Sequence, residues 1–153
     1  MMSNVDCRRQ MSRQLIVQEA RRWIGTPYRH QASLMGVGTD CLGLVRGVWR
    51  HAYGFDAEKP PAYSADWAEA SGRETLISAA DRHLVRIATE SRQPGDLLLF
   101  RFRRHLPAKH AAILATSNTM VHAVEGASAV EVSLSAWWLR RLAAVFQFPN
   151  LID

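Results

Sequence analysis

Gly36-Val37-Gly38-Thr39-Asp40-Cys41-Leu42-Gly43-Leu44-Val45 is a glycine-punctuated loop that runs straight into an apolar helical repeat, with a cysteine at the junction. The first N–H groups of a helix have no intrahelical partner and carry partial positive charge, which favours a thiolate in the first turn. A free cysteine titrates near pH ~8.5, and this position beside an imidazole is expected to lower that value by one unit or more. Either Thr39 or Asp40 can act as the N-cap. The competing reading is a buried structural cysteine, and the stretch alone does not separate the two.

Outward from this junction, Asp40 to Tyr53 reads as a helix with Leu44, Val45, Val48, Trp49 and Ala52 on its apolar side. Gly43 and Gly47 lie one turn apart on one face, each costing about 1 kcal/mol of helix propensity relative to alanine. Close approach of this helix to a sheet is the expected compensation. Upstream, Arg8 to Ile24 repeats apolar residues at three- and four-residue steps, Gly25 suits a left-handed cap, and Pro27 bars continuation. Tyr28 follows, either a half-buried aromatic or a phenol aimed at the cysteine. Downstream come a turn-rich connection over Gly54 to Pro61, a short acidic helical turn over Tyr63 to Gly72, and a third helix over Arg73 to His83. After Pro94-Gly95 the period changes to that of strands: Asp96 to Phe102, His110 to Ala115, Thr119 to Val124, Ala129 to Ser133 and Leu142 to Phe148. A helical turn over Ser135 to Arg141 separates the last two. Helices followed by a meander of roughly five antiparallel strands predict an α+β fold in one domain over 10–150, behind a basic tail over 1–9.

The 153 residues include 48% hydrophobic and 22% charged residues, which suits a globular domain and argues against disorder. The net charge is +5, carried almost wholly by arginine, since lysine occurs only at Lys59 and Lys109. A basic surface suits an anionic polymer or an acidic protein face. No nucleic-acid motif accompanies it, so no nucleic acid is expected as a partner. Cys7 and Cys41 have no zinc spacing, and Cys7 lies in a polar segment, so neither a metal site nor a disulfide is expected. The first residues lack the 7–15-residue apolar run of a secretory signal, and no stretch of about 20 apolar residues could span a membrane. The expectation is a chain made in the cytoplasm that needs another carrier to reach a substrate outside it.

A thiol nucleophile requires a base to take and return its proton, and the base requires an orienting partner. His110 and His122 fall on consecutive strands, where side chains are rigidly held. Pairing Ala115 with Thr119 puts both on one sheet face, on a diagonal roughly 7–8 Å apart at Cα level. The loop Thr116-Ser117-Asn118 then closes the hairpin, with Asn118 expected in the left-handed region. His105 and His83 read as surface residues, and His30 and His51 have no clear role.

Gly25-Thr26-Pro27-Tyr28, Asp40-Cys41-Leu42-Gly43-Leu44-Val45, Pro94-Gly95-Asp96-Leu97, His110-Ala111-Ala112-Ile113 and Met120-Val121-His122-Ala123 occur in that order. Together they resemble the NlpC/p60 family of papain-like cysteine peptidases, which cleave the peptide stems of peptidoglycan. The resemblance implies Cys41 as nucleophile, His110 as general base and acid, and His122 as the residue that orients it. It also implies Tyr28 as an oxyanion-stabilising phenol and Asp40 as a contact to the substrate's amino group; it implies no cofactor and no metal. Leu42 and Ala112 depart from the serine and glycine usual there, which leaves substrate preference open. Arg29-His30-Gln31 and Trp137-Trp138 look like the branch found in phage tail and gene transfer agent clusters. That resemblance implies delivery by a phage-like particle and docking on tail-tip, hub or baseplate proteins. Competing readings are an amidase or acyltransferase on the same fold, a catalytically silent tail subunit, and a metal site built from Cys41, His105, His110 and His122.

Overall fold

The Ser12 hydroxyl accepts a hydrogen bond of 3.1 Å from Leu15 N–H and so starts helix α1 (Arg13–Arg22). The computed structural model describes residues 11–58 and 72–153. The basic tail, Cys7 and nearly all of the acidic turn expected over Tyr63 to Gly72 lie outside them. The helix begins later than the apolar repeat suggests, because Met11 is engaged in a β-bridge with Leu151 instead of a helical turn. α1 buries Ile16, Val17 and Ala20, and also Glu19, whose carboxylate meets Arg22 at 2.9 Å and His51 at 3.5 Å. Gly25 adopts the expected positive φ of 91° and sends its N–H to the Ala129 carbonyl.

A two-residue hairpin, β1 (Ser33–Leu34) with β2 (Gly38–Thr39), delivers the chain to α2 (Cys41–Tyr53), which closes at left-handed Gly54. Gly43 and Gly47 do mark close approaches, but not to a sheet. A Cβ on Gly43 would strike the Ala32 carbonyl of the preceding loop, and one on Gly47 would strike the indole ring of Trp23. The loop and the end of α1 are what press on this helix. Helix α3 (Thr75–His83) follows, then strand β3 (Val85–Ile87), a 3-10 turn (Thr89–Ser91), β4 (Leu97–Phe100), β5 (His110–Leu114), β6 (Thr119–His122), β7 (Val130–Ser133), the single-turn α4 (Ala136–Leu139) and β8 (Leu142–Gln147).

Apart from the β1–β2 hairpin, the described strands form one antiparallel sheet in the order β3-β8-β4-β5-β6-β7, so six strands stand where roughly five are expected. The addition is β3, three residues long and too short to show a period of its own, held at the edge by pairing with β8. Asp96, in the turn before β4, is wholly buried and binds Arg13 at 2.6 Å and Gln93 N–H at 2.8 Å, which ties the sheet to α1.

Alternation along the strands creates two cores. Leu97, Leu99, Ala111, Ile113, Val121 and Phe146 face the helices, while Leu98, Phe100, Ala112, Leu114, Met120 and Val145 face the other way, with Leu134 and Trp138 over them. The described residues form an α+β architecture, with three helices on one side of an antiparallel sheet and a short helical turn on the other.

Candidate active site

Asp40 is the N-cap of α2: its Oδ1 accepts from Gly43 N–H at 2.7 Å and its Oδ2 from Gln31 N–H at 2.8 Å. Thr39 does not cap; its hydroxyl donates to the Asp40 carbonyl. The carboxylate, only 3% exposed, thus clamps the loop to the helix start and fixes Cys41 as the first helical residue. Gln31 sits at φ 65°, a left-handed conformation that a non-glycine residue rarely adopts, and its Asp40 bond holds it there. The Cys41 sulfur lies 4.0 Å from the Lys109 carbonyl oxygen, and the Ala111 N–H favours its charged form. These two backbone groups flank His110, so the sulfur meets the start of β5 through its backbone and not through the His110 ring.

His110 and His122 are both buried, and His110 Nε2 stands 2.9 Å from His122 Nδ1. The register responsible is the one expected: Ile113 pairs with Val121, Leu114 with Met120, and Ala115 N–H donates to the Thr119 carbonyl. The loop is built differently from the expectation. Asn118 is not left-handed; its N–H donates to the Thr116 hydroxyl, which also meets the Thr119 hydroxyl at 2.7 Å. When His110 carries its proton on Nε2 and donates it to His122 Nδ1, the Nδ1 lone pair of His110 remains to accept a proton.

The electrostatics differ from the sequence expectation in one respect. Burial and the Asp40 carboxylate push the Cys41 thiol up to about 12, outweighing the N–H groups of Ala111, Leu42 and Cys41 that pull it down. Part of Cys41 still meets solvent; it is the sulfur that is enclosed. Burial likewise depresses His110 to about 3, aided by His122 and Lys109, and His122 to about 4. The resting trio is therefore a neutral thiol and two neutral imidazoles, not a thiolate–imidazolium pair. The helix terminus contributes as expected, but its effect is smaller than the loss of solvent.

Tyr28, half-buried, bridges to Thr39 and feels the charges of Asp40, Cys41 and Glu125. Burial first, then those charges, raise its phenol to about 12, so it stays a hydrogen-bond donor. His105 is exposed, and His83 binds Glu58 at 2.9 Å. His30 lies 4.0 Å from Asp40. Among the described residues no group of three or more His, Cys, Asp or Glu side chains is placed to hold a metal. Leu42 lines an apolar cavity of about 190 Å³ between α2 and α3, with Val45, Trp49, Leu76, Leu99 and Ala111, and neither Cys41 nor the two histidines line it. Ala112 faces the opposite core. Of the two departures from the usual pattern, only Leu42 shapes that cavity.

The sequence reading missed the aromatic wall around the histidines. Trp138 stacks on His110 with ring centroids 5.3 Å apart and planes 26° apart, and meets His122 edge-on at 5.3 Å. Phe102 and Phe100 stand 5.8 and 6.1 Å from His110. The Trp137-Trp138 pair was visible in the sequence, but a four-residue helix gives no periodicity to say which indole turns inward.

The arrangement of helices before an antiparallel sheet is shared with known proteins. The described fold matches the crystal structure of the NlpC/p60 domain of the peptidoglycan hydrolase SagA, with a TM-score of 0.67 at 22% identity over 90% of this chain and 100% of that one. An NlpC/P60 family protein of Bacillus cereus ATCC 10987 matches with a TM-score of 0.67 at 18% identity, over 91% of this chain and 41% of that one. In sequence, the chain is 27% identical over 137 residues to a gamma-DL-glutamyl hydrolase of Bacillus subtilis (strain 168), covering 89% of this chain and 29% of that protein. The chain therefore spans less than a third of the length of that curated relative. The NlpC/P60 sequence pattern matches residues 25–146, which include every motif around Cys41, His110 and His122. With that match across most of its length, the chain belongs to the NlpC/P60 family.

Proposed function

We propose that this chain is a cysteine endopeptidase of the bacterial cell wall, cutting the peptide stems of peptidoglycan with Cys41, His110 and His122. The observation that carries this reading is the 2.9 Å His110–His122 bond at the strand end where the Cys41 sulfur lies against the backbone. His110 takes the thiol proton at Nδ1 as sulfur attacks the scissile carbonyl carbon. The Cys41 N–H and the Tyr28 hydroxyl are suited to stabilise the oxyanion. Collapse of the tetrahedral species expels the amine, which leaves with the proton from His110, and a thioester remains on Cys41. Water then attacks the thioester with His110 again as base, releasing the carboxylic acid and restoring the thiol. His122 holds the His110 tautomer throughout.

The names of the relatives support the substrate class: one hydrolyses gamma-glutamyl bonds and another is a peptidoglycan hydrolase. Incubation with defined muropeptides, followed by mass spectrometry, tests it. Products cut within the stem are expected; intact stems with cut glycan would overturn it. The resemblance of Arg29-His30-Gln31 and Trp137-Trp138 further supports an enzyme carried on a phage-like tail, acting on the periplasmic wall. Proteomics of purified particles tests that part, and its absence from particles that accumulate in producing cells would refute it.

A further inference from the structure

We propose that Trp138 is a positioning residue of this site: its indole sets the plane of His110 and closes the His110–His122 hydrogen bond off from water. The inference rests on the catalytic reading given above. It comes from geometry that the family motifs do not cover. Among the described residues Trp138 is the aromatic ring that meets both imidazoles, face to face with His110 and edge to face with His122. Those two contacts fix two ring planes that lie 77° apart, the arrangement that lets Nε2 of one address Nδ1 of the other at 2.9 Å. Trp138 is itself wedged by Phe100 at 5.0 Å and Trp137 at 4.8 Å, with Phe102 at 6.1 Å. Arg141 lies over the outer ring, Trp137, at 3.6 Å. An imidazole in such a wall has neither room to rotate nor water to compete for its Nε2 proton.

A stacked ring suits this task for a second reason. When His110 takes the cysteine proton it becomes a cation over an indole face, and that face attracts a cation while admitting no water. The titratable groups that act on His110 are His122 on β6 and the adjacent Lys109, whose ammonium lies over Phe102, with Arg141 farther out over Trp137. Among the described residues no carboxylate acts on His110, so the aromatic wall, not a counter-ion, governs the histidine's protonation. Its removal admits water, and the buried histidine should return toward its ordinary titration.

The test compares Trp138→Ala, Trp138→Leu and Trp138→Phe in the full chain. Histidine titration by NMR needs no substrate, so it reads the proposal even in a chain that cleaves nothing. Alanine and leucine should raise the His110 midpoint by at least one pH unit, and phenylalanine should hold it near the parent value. With peptidoglycan as substrate, alanine should lower kcat roughly 10- to 100-fold with KM little changed and move the acid limb of the pH profile upward, and phenylalanine should recover most of it. If the alanine variant does not fold, the leucine variant, which keeps apolar volume but no π face, carries the comparison. An unchanged His110 midpoint in alanine or leucine overturns the proposal, as does leucine matching phenylalanine in both titration and kcat.

Discussion

Cys41 and His110 are held neutral in the resting site, with the thiol pushed up to about 12 and the imidazole down to about 3. In the proposed mechanism proton transfer therefore accompanies attack instead of preceding it. Alkylation of Cys41 by iodoacetamide should be slow near pH 6 and rise steadily into the alkaline range; a plateau that begins below neutral pH would reveal a preformed ion pair instead. In the proposed mechanism His122 Nδ1, 2.9 Å from His110 Nε2, accepts its hydrogen bond. His122→Ala should lower kcat about 10²-fold or more, within the range for a disturbed general base. His122→Asn, whose amide oxygen can accept the same bond, should lose less; equal losses in steady-state assays would remove the orienting role. The placement of these residues at a helix start and on neighbouring strands was legible in the sequence, because those are local features. Their protonation was not, because desolvation depends on rings from Phe100, Phe102 and Trp138 that arrive from distant segments.

At the scale of elements, α2 is the piece that the rest is fitted to. Gly43→Ala would press a methyl into the Ala32 carbonyl, a backbone atom beside the cysteine loop, and Gly47→Ala would press one into the Trp23 ring. Overpacking of this kind costs about 1–3 kcal/mol. In thermal or chemical melts both variants should be destabilised, and Trp23→Leu should recover part of the Gly47→Ala loss by making room. Additive losses in that double-mutant cycle would contradict the contact. The glycine spacing announced a close approach but not its partner, since a loop and an indole leave no mark on the helix's own pattern. β3 escaped for a related reason: three residues paired at an edge owe their conformation to β8, not to their own alternation. The β5–β6 hairpin was readable because a period of two and a three-residue loop allow few registers.

For the whole molecule, two buried neutral histidines link stability to pH. His110 and His122 titrate in the unfolded chain near pH ~6.5 but at about 3 and about 4 in the fold, so below pH ~6.5 the unfolded chain binds more protons. Stability is undiminished above that value and falls as the pH drops toward the folded values, by up to about 1.4 kcal/mol per pH unit for each histidine. The melting temperature should decline from pH 6.5 to 4.5, and His122→Asn should flatten the slope; a parent curve level across that range would contradict the buried neutral pair. Whether the chain is a hydrolase with Cys41 as its nucleophile can be decided by a single comparison. Peptidoglycan hydrolysis by the parent chain is compared with that of Cys41→Ala, each beside its thermal melt. The account predicts complete loss of hydrolysis with little change in melting temperature, because Cys41 lies at a helix start and fills little of the core. Hydrolysis retained by a folded Cys41→Ala chain would contradict it.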